Sequence, residues 1–471
     1  MVFSSLVFLF IFLVVTLLGY FILPTRARNA FLLIVSLFFY AWGEPTLVLL
    51  MMVSIVFNYA AGRVVSRYKR LDRKATAKAA LVVACVFDVG VLFFYKYLPF
   101  LFENASLFLK SPLPGNEFFK NLVMPIGISF YTFQMMSYVI DVYRDDAEAQ
   151  KSIINFGCYV TLFPQLIAGP IVQYKDIARE INFRTTSFEK FASGTLLFMA
   201  GLSKKVLLAN SMGVLYDTVE KLDFSSMSAL TALLGSLAFS FQIYFDFSGY
   251  SDMARGLGRM FGFEFIKNFN YPYISRSVTE FWRRWHISLS TWFRDYVYIP
   301  LGGNRHGFAC QIRNLALVWL LTGIWHGAKW NYPLWGIWFG LLIILEKLFL
   351  LKRLKALPRF VGHVWAMLCA WFGWVIFSHE ELSRLFDYVG ILFGKNGNFV
   401  DSQGMWLLTN YALLFLVCAV GSTPAPRKAW KLLGETRYGP VLRVLALLVS
   451  FVFVFAYVTA STYNPFIYFR F

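Results

Sequence analysis

The sequence predicts an all-α polytopic membrane protein, with about ten or more transmembrane and re-entrant helices around a polar tunnel. Three observations predict it. The 471 residues are 58% hydrophobic and 15% charged, where soluble domains are about half apolar and a quarter charged. The apolar residues come in long runs. Between residues 121 and 335, Pro, Gly and ionisable groups repeatedly interrupt those runs.

Residues 3–23 carry no charge, and residues 79–95, 225–245, 315–326, 333–345, 360–378, 404–426 and 440–463 are also mostly apolar. About 20 apolar residues cross a bilayer core of about 30 Å. The shorter runs read as re-entrant or partly buried pieces. MVFSS has no basic stretch, and no small-residue cleavage site follows it before Pro24, so the first span is expected to be retained.

The formal net charge is +18. In a soluble chain that would suggest nucleic acid. Here basic loops holding the cytoplasmic side explain it, and no nucleic-acid partner is expected. Arg26 and Arg28 follow the first span, and GRVVSRYKRLDRKATAK (62–78) follows two apolar segments later. Two crossings return a chain to the same side, so both clusters belong in the cytoplasm and the N-terminus outside it. KRLKALPR (352–359) and RKAWK (427–431) likewise bracket two apolar segments. The last span then runs outward, and the C-terminus is extracytoplasmic. The five cysteines have no metal or redox spacing and read as packing residues. No metal site is expected.

No linker or repeat divides the chain, so one membrane domain is expected. N-terminal spans occupy 1–110, a tunnel-forming core 121–335, C-terminal spans 336–463 and an aromatic tail 464–471. The core contains MPIGISFYTFQMMSYVIDVYR (124–144), LFPQLIAGPIVQY (162–174) and FQIYFDFSGYSDMARG (241–256). Irregular or charged backbone at membrane depth survives only inside protein or beside a wet cavity. Gln134, Asp141, Gln165, Gln242, Asp246 and Asp252 are read as packing or tunnel-shaping groups.

Two of the five histidines stand out. His326 lies in WLLTGIWHGAKWNYPLWGIWFG, about a dozen residues past Arg313. That is roughly 18–20 Å of helical rise, past the middle of the core. Gly323 and Gly327 remove bulk around it. A histidine bonded to a neighbouring helix would fit the same pattern. His286 lies in FWRRWHISLSTWFRDYVYIPLGG. Read as one helix, Phe281, Trp282, Trp285, Leu289, Trp292, Phe293 and Tyr296 share an apolar face, with Arg283, His286, Ser290 and Arg294 opposite. That stripe describes either an interfacial helix or a border to an anionic substrate, to which Arg305 and Lys204–Lys205 would add charge. His306, His363 and His379 receive no role.

The chain has no serine elbow, phosphate loop or dinucleotide fingerprint. A neutral imidazole can act as a base on a hydroxyl, and acyl transfer also needs donors for the developing oxyanion. Asn331, Trp330 and the amides near Gly327 are candidates.

The segments LFFYAWGEP, PIGISFYTFQMMSYVIDVYR, LFPQLIAGPIVQY, QIYFDFSGYSDMARGLG, NFNYPYISRSVTEFWRRWHISLSTWFRDYVYIPLGGNR and LTGIWHGAKWNYPLWGIW together resemble the membrane-bound O-acyltransferase family. Their nearest likeness is to its bacterial branch, which acylates alginate, peptidoglycan and teichoic acids. The resemblance covers nearly the whole chain. It implies that His326 is the catalytic histidine and His286 a second active-site histidine. It implies a tunnel in which a cytoplasmic acyl donor, acetyl-CoA by likeness to the alginate branch, meets an acceptor from the other side. No permanently bound cofactor is implied. Arg283, Arg284 and Arg294 would then neighbour the donor's phosphates. The implied acceptor is an extracytoplasmic polysaccharide or cell-wall polymer, reached through a serine-esterase-like (SGNH) partner at the bacterial inner membrane.

The tail, STYNPFIYFRF, suits an interfacial aromatic anchor. The resemblance also implies a similar aromatic C-terminal motif with a tyrosine in this branch; in the teichoic acid system the motif lies on a small separate partner, where the tyrosine is the implied carrier of the acyl group as an ester, and Tyr468 matches that pattern. A transporter or flippase without covalent chemistry also fits the basic loops and broken helices. Thioester turnover separates the two classes.

Overall fold

The computed structural model describes residues 1–460 apart from Pro112 and Pro114; Tyr468 and the tail lie outside the described residues. No strand occurs among them. Two shorter apolar helices open the chain, α1 (Val7–Ile22) and α2 (Arg28–Ala41), followed by α3 (Leu47–Arg70) and α4 (Lys74–Leu109). Short helices come next: α5 (Asn116–Lys120), α6 (Ile128–Arg144), α7 (Ile153–Thr161), α8 (Phe163–Leu166) and α9 (Tyr174–Asn182). Then come the long α10 (Phe188–Glu220) and α11 (Ala229–Met260). Two more short helices, α12 (Val278–Arg284) and α13 (Ile287–Phe293), precede α14 (Gly307–His326), α15 (Asn331–Ala356) and α16 (Arg359–Ser378). The chain continues through α17 (Leu382–Leu392), α18 (Ser402–Gly421), α19 (Ala425–Glu435) and α20 (Gly439–Ala460).

Nine of these helices, among the described residues, are long and apolar enough to cross a membrane: α3, α4, α10, α11, α14, α15, α16, α18 and α20. The chain is a multi-pass membrane protein. In α20 only 6% of the apolar window is buried, against 78% in α11. Lipid therefore solvates the first, and protein surrounds the second. The chain forms two compact units, residues 1–198 with 253–266, and residues 199–252 with the chain from Lys267 onward. The 121–335 stretch contributes to both.

In the first unit α3, α4 and α6 pack together. The backbone of α3 comes close to Tyr138 at Gly62, where a Cβ would enter the tyrosine ring. Asn58 donates to Asp88 at 2.7 Å between buried positions of α3 and α4. The interrupted middle of the sequence becomes short, buried helices whose polar groups bond inside the protein. Gln165 Nε2 donates to the Tyr159 carbonyl (2.6 Å), and Asp141 Oδ2 accepts from the Lys175 amide (3.2 Å). These two act as the packing groups expected of them.

In the second unit α14 and α15 form an antiparallel hairpin that packs on α16 and α12. Gly323 and Gly336 face each other across the hairpin. A Cβ on either would strike the opposite helix's backbone, so glycine sets how closely the two axes approach. Lys205 pairs with Asp246 at 2.7 Å, both almost fully buried, and Lys204 pairs with Asp252 at 2.7 Å. The lysines expected to add charge at the substrate border are instead neutralised against α11. Buried charges persist only when paired in this way.

The segment around His286 also departs from expectation. It is not one helix: α12 ends at Arg284, and α13 begins at Ile287. His286 sits between them in the left-handed region, φ 45° and ψ 54°. The break turns the imidazole inward, to 1% exposure, while Arg283, Ser290 and Arg294 stay exposed. The predicted stripe that grouped His286 with the arginines does not exist.

Candidate active site

The second unit builds a site around two buried histidines. His326 is the last residue of α14. That helix starts six residues before Arg313, so its 20 residues span about 30 Å, the thickness of a bilayer core. The His326 ring is 4% exposed. It meets three aromatic rings edge to face: Trp335 (4.9 Å between centroids), Trp325 (5.1 Å) and Phe377 (5.4 Å). Trp335 in turn packs on Trp282, Phe339 and Phe377. A cage of rings excludes water and fixes the imidazole plane.

His286 also packs on Trp325, its ring centroid 6.1 Å from the indole. Phe247 of α11 packs against it at 4.7 Å. Its Nδ1 lies 3.3 Å from Asn268 Oδ1, which also accepts from the Ser288 amide (3.1 Å) and hydroxyl (3.0 Å). An acceptor facing Nδ1 calls for a proton there in the neutral ring, leaving Nε2 as the ring's accepting atom. The Ile287 amide donates to the Asn268 carbonyl at 3.0 Å. One asparagine thus holds the whole turn, and non-glycine left-handed backbone of this kind persists only where surroundings over-determine it.

The helix leading into the turn is anchored in the same way. Ser277 caps α12 by accepting from the Glu280 amide at 3.0 Å, the S-x-x-E pattern of a capping box. Below it Glu346 of α15, fully buried, accepts from the Val278 amide (2.6 Å), the Thr279 amide (2.8 Å), the Thr279 hydroxyl (2.7 Å) and the Trp365 indole (3.0 Å). A carboxylate on first-turn amides satisfies orphan donors and complements the helix end.

None of the three predicted arginines is buried as the imidazoles are. Arg283 is exposed, Arg284 pairs with Glu280 at 2.8 Å, and Arg294 pairs with Asp295 at 2.7 Å. Two of the predicted oxyanion donors have other surroundings. Asn331 donates its amide to the Phe377 carbonyl at 3.0 Å, tying α15 to α16, and Trp330 is 54% exposed. The sequence reading missed another donor. The buried Nε1–H of Trp335 has no hydrogen-bond partner among the described residues, and its ring touches His326. Buried indole N–H groups normally find an acceptor, so this one is available to a substrate oxygen. Asn268 was missed as well. Its signal was a polar residue at the start of the NFNYPY motif, in a segment otherwise matched for its aromatics.

Comparisons with known proteins agree on a class. The family model described as "MBOAT, membrane-bound O-acyltransferase family" matches residues 35–386. The chain is 46% identical to a probable alginate O-acetylase of Pseudomonas aeruginosa, over 81% of this chain and 73% of that protein. It is 43% identical to one from Azotobacter vinelandii, over 87% and 80%. It is also 33% identical to a peptidoglycan O-acetyltransferase of Helicobacter pylori, over 84% and 80%. The matched span contains His286, His326 and the whole α14–α15 hairpin. The chain therefore belongs to the membrane-bound O-acyltransferase family, and it is an enzyme of that class rather than a transporter.

Proposed function

We propose that the chain transfers an acetyl group from cytoplasmic acetyl-CoA toward an extracytoplasmic polysaccharide or cell-wall polymer, with His326 as the base. The observation that carries this reading is the contact of two buried histidines, His326 and His286, with the same indole, Trp325, His326 being ringed by aromatic side chains. An imidazole nitrogen of His326 takes the proton of an attacking hydroxyl. The oxygen adds to the thioester carbonyl, and the C–S bond breaks. The CoA thiolate leaves with the proton that His326 held. The Trp335 N–H donates to the carbonyl oxygen as negative charge develops there. His286, held by Asn268 with Nε2 accepting, positions the second reactant.

In the same reading the attacking hydroxyl is the phenol of Tyr468, which carries the acetyl group as an ester until a serine-esterase-like partner accepts it. The polymer receives it from that partner. The names of the relatives, alginate and peptidoglycan O-acetylating proteins, support acetyl as the group and a polysaccharide as the acceptor. The exposed Arg283, with Arg284 and Arg294, is suited to phosphates of the donor at the cytoplasmic face. Basic loops after α1 and α3 support an inner-membrane topology with both termini outside.

The test uses purified protein with acetyl-CoA labelled in the acetyl group, following release of free thiol. His326→Ala is expected to lower thiol release by about 10²–10⁴-fold, as for a lost general base, while the protein keeps its elution profile. Release at the wild-type rate by that variant would remove His326 from the chemistry. Tyr468→Phe is expected to abolish polymer acetylation at normal protein level. A fully active phenylalanine variant ends the carrier reading and leaves the base assignment standing.

A further inference from the structure

The first unit contains a cavity lined by none of the residues assigned to acyl transfer above. It has a volume of about 750 Å³ and lies where the α1–α2 turn, the end of α9 and the start of α10 converge. Five cations line it, Arg26, Arg28, Arg179, Arg184 and Lys190, against one carboxylate, Glu180. None of the five is in an ion pair among the described residues. Glu180 turns its Oε2 to the Glu264 amide, at 2.9 Å.

Two of the cations share one aromatic ring. The Arg28 guanidinium lies 4.7 Å from the Tyr20 centroid and that of Arg184 lies 5.6 Å from it. Arg184 is built in rather than draped over the surface. Its Nε donates to the Tyr20 hydroxyl (2.9 Å) and the Phe261 carbonyl (3.1 Å), and its Nη1 donates to Asn29 Oδ1 (2.6 Å). Its Nη2 is buried and has no hydrogen-bond partner among the described residues. Like charges fixed around one ring repel, and a buried guanidinium donor without an acceptor is costly. Both costs vanish when an anion with several acceptor oxygens enters the cavity. Phosphate is the group whose geometry arginine pairs with best.

The surroundings select the source of that phosphate. Ile22 at the end of α1, Phe183 beside Arg184 and Phe188 at the start of α10 are each at least 80% exposed. In a membrane protein such residues face acyl chains or the headgroup boundary. A basic cavity bordered by lipid-facing apolar side chains matches an amphiphile with a phosphate head. We infer that this cavity binds the headgroup phosphate of an anionic membrane phospholipid, with Arg28 and Arg184 as its principal contacts. The site is separate from acyl transfer and stands whether or not His326 is the base.

Native mass spectrometry of the full-length protein in neutral detergent tests it. Three probes are compared: dioctanoyl phosphatidylglycerol, dioctanoyl phosphatidylcholine, and 3′-phosphoadenosine 5′-phosphate as a soluble phosphate. The expected order puts phosphatidylglycerol first, and Arg28→Gln weakens it by about tenfold or more, as loss of a charge-assisted pair would. Because Arg184 also ties Tyr20 to Asn29, Arg184→Gln can unfold. The double variant Arg26→Gln/Lys190→Gln, at the cavity wall, is the second probe and is expected to weaken the same ligand. Equal binding of the two lipids, or wild-type affinity in both Arg28→Gln and the double variant, overturns the site. Preferential binding of the soluble bisphosphate in a manner that Arg28→Gln abolishes overturns the lipid assignment.

Discussion

The imidazole of His286 stands 6.1 Å from the indole of Trp325, the residue that immediately precedes His326 and packs on its ring at 5.1 Å. Two histidines 40 positions apart in sequence thus become neighbours across one side chain. They reach it by different routes, His326 as the end of a long helix and His286 as a strained turn between two short ones. The His286 turn depends on a polar anchor, Asn268, whereas the His326 ring is packed among aromatic side chains.

The turn predicts a separation of fold from function at His286 itself. Its φ of 45° costs an ordinary L-residue about 1–2 kcal/mol, and asparagine tolerates that region best among non-glycine residues. His286→Asn is therefore expected to keep the melting temperature in detergent close to wild type while turnover falls. His286→Ala should lose stability as well as turnover. Equal melting temperatures for the two variants would show that the backbone there carries no strain.

Asn268 accepts from three donors with one oxygen. Asn268→Ala leaves the Ser288 amide and hydroxyl and His286 Nδ1 without that acceptor, at about 1–3 kcal/mol for an unsatisfied buried group. Asn268→Asp keeps an acceptor in place. The alanine variant is expected to lose activity and thermal stability together, and the aspartate variant to recover part of the stability. Thermal unfolding beside thiol-release assays reads both. An alanine variant with unchanged kinetics would remove Asn268 from the positioning of His286.

Trp335→Phe deletes one N–H and retains most of the aromatic packing around His326. If that N–H meets the developing oxyanion, the rate constant for thiol release should fall by about 10–10³-fold, the range for lost oxyanion donors. The Michaelis constant for the donor should change much less, because the contact strengthens only in the transition state. A fall in donor affinity alone, at full maximal rate, would instead make Trp335 a binding wall.

Much of this architecture was legible in the sequence because lipid imposes a simple rule. A helix solvated by hydrocarbon must be apolar along its length, as α18 and α20 are, and their boundaries fall within a few residues of the runs 404–426 and 440–463. The α10 helix was not read as a span because Lys204 and Lys205 interrupt it, and their partners Asp246 and Asp252 lie on another helix. Charge in a sequence carries no record of its pairing. The break at His286 was hidden for a related reason. Its flanks have helical periodicity, and what stops the helix is Asn268, 18 residues upstream. The candidate histidines could be named from sequence. The Trp325 contact, the free Trp335 donor and the anchoring carboxylate of Glu346 arise only from tertiary packing.

The buried pair Lys205–Asp246 sets up a thermodynamic cycle. Removing one partner, as in Lys205→Met or Asp246→Leu, leaves a buried charge uncompensated and is expected to destabilise by about 3–5 kcal/mol. The double variant replaces the pair with apolar groups and should regain most of that loss. Thermal unfolding of the three proteins checks it. Additive losses in the double variant would mean that the two charges do not stabilise each other.

Glu346 gives the most direct test of how the fold supports the site. Its two carboxylate oxygens accept four bonds, three of them from the first turn of α12, eight residues before His286 at Val278 and seven at Thr279. Glutamine has the same shape but only one acceptor oxygen, so its NH₂ would face an amide donor. Glu346→Gln is expected to cost about 1–3 kcal/mol and to loosen α12 along with the His286 turn. Limited proteolysis should then cut between residues 276 and 290 faster than in the wild type, and thiol release should fall. Glu346 lies 15 residues past Asn331 along α15, roughly 22 Å of helical rise from the end that follows His326, so the loss acts through position alone. The rate should therefore fall with no change in the pH profile of what remains. A shifted profile would mean that the carboxylate takes part in proton transfer, and an unchanged cleavage pattern would mean that α12 is held by its aromatic packing instead.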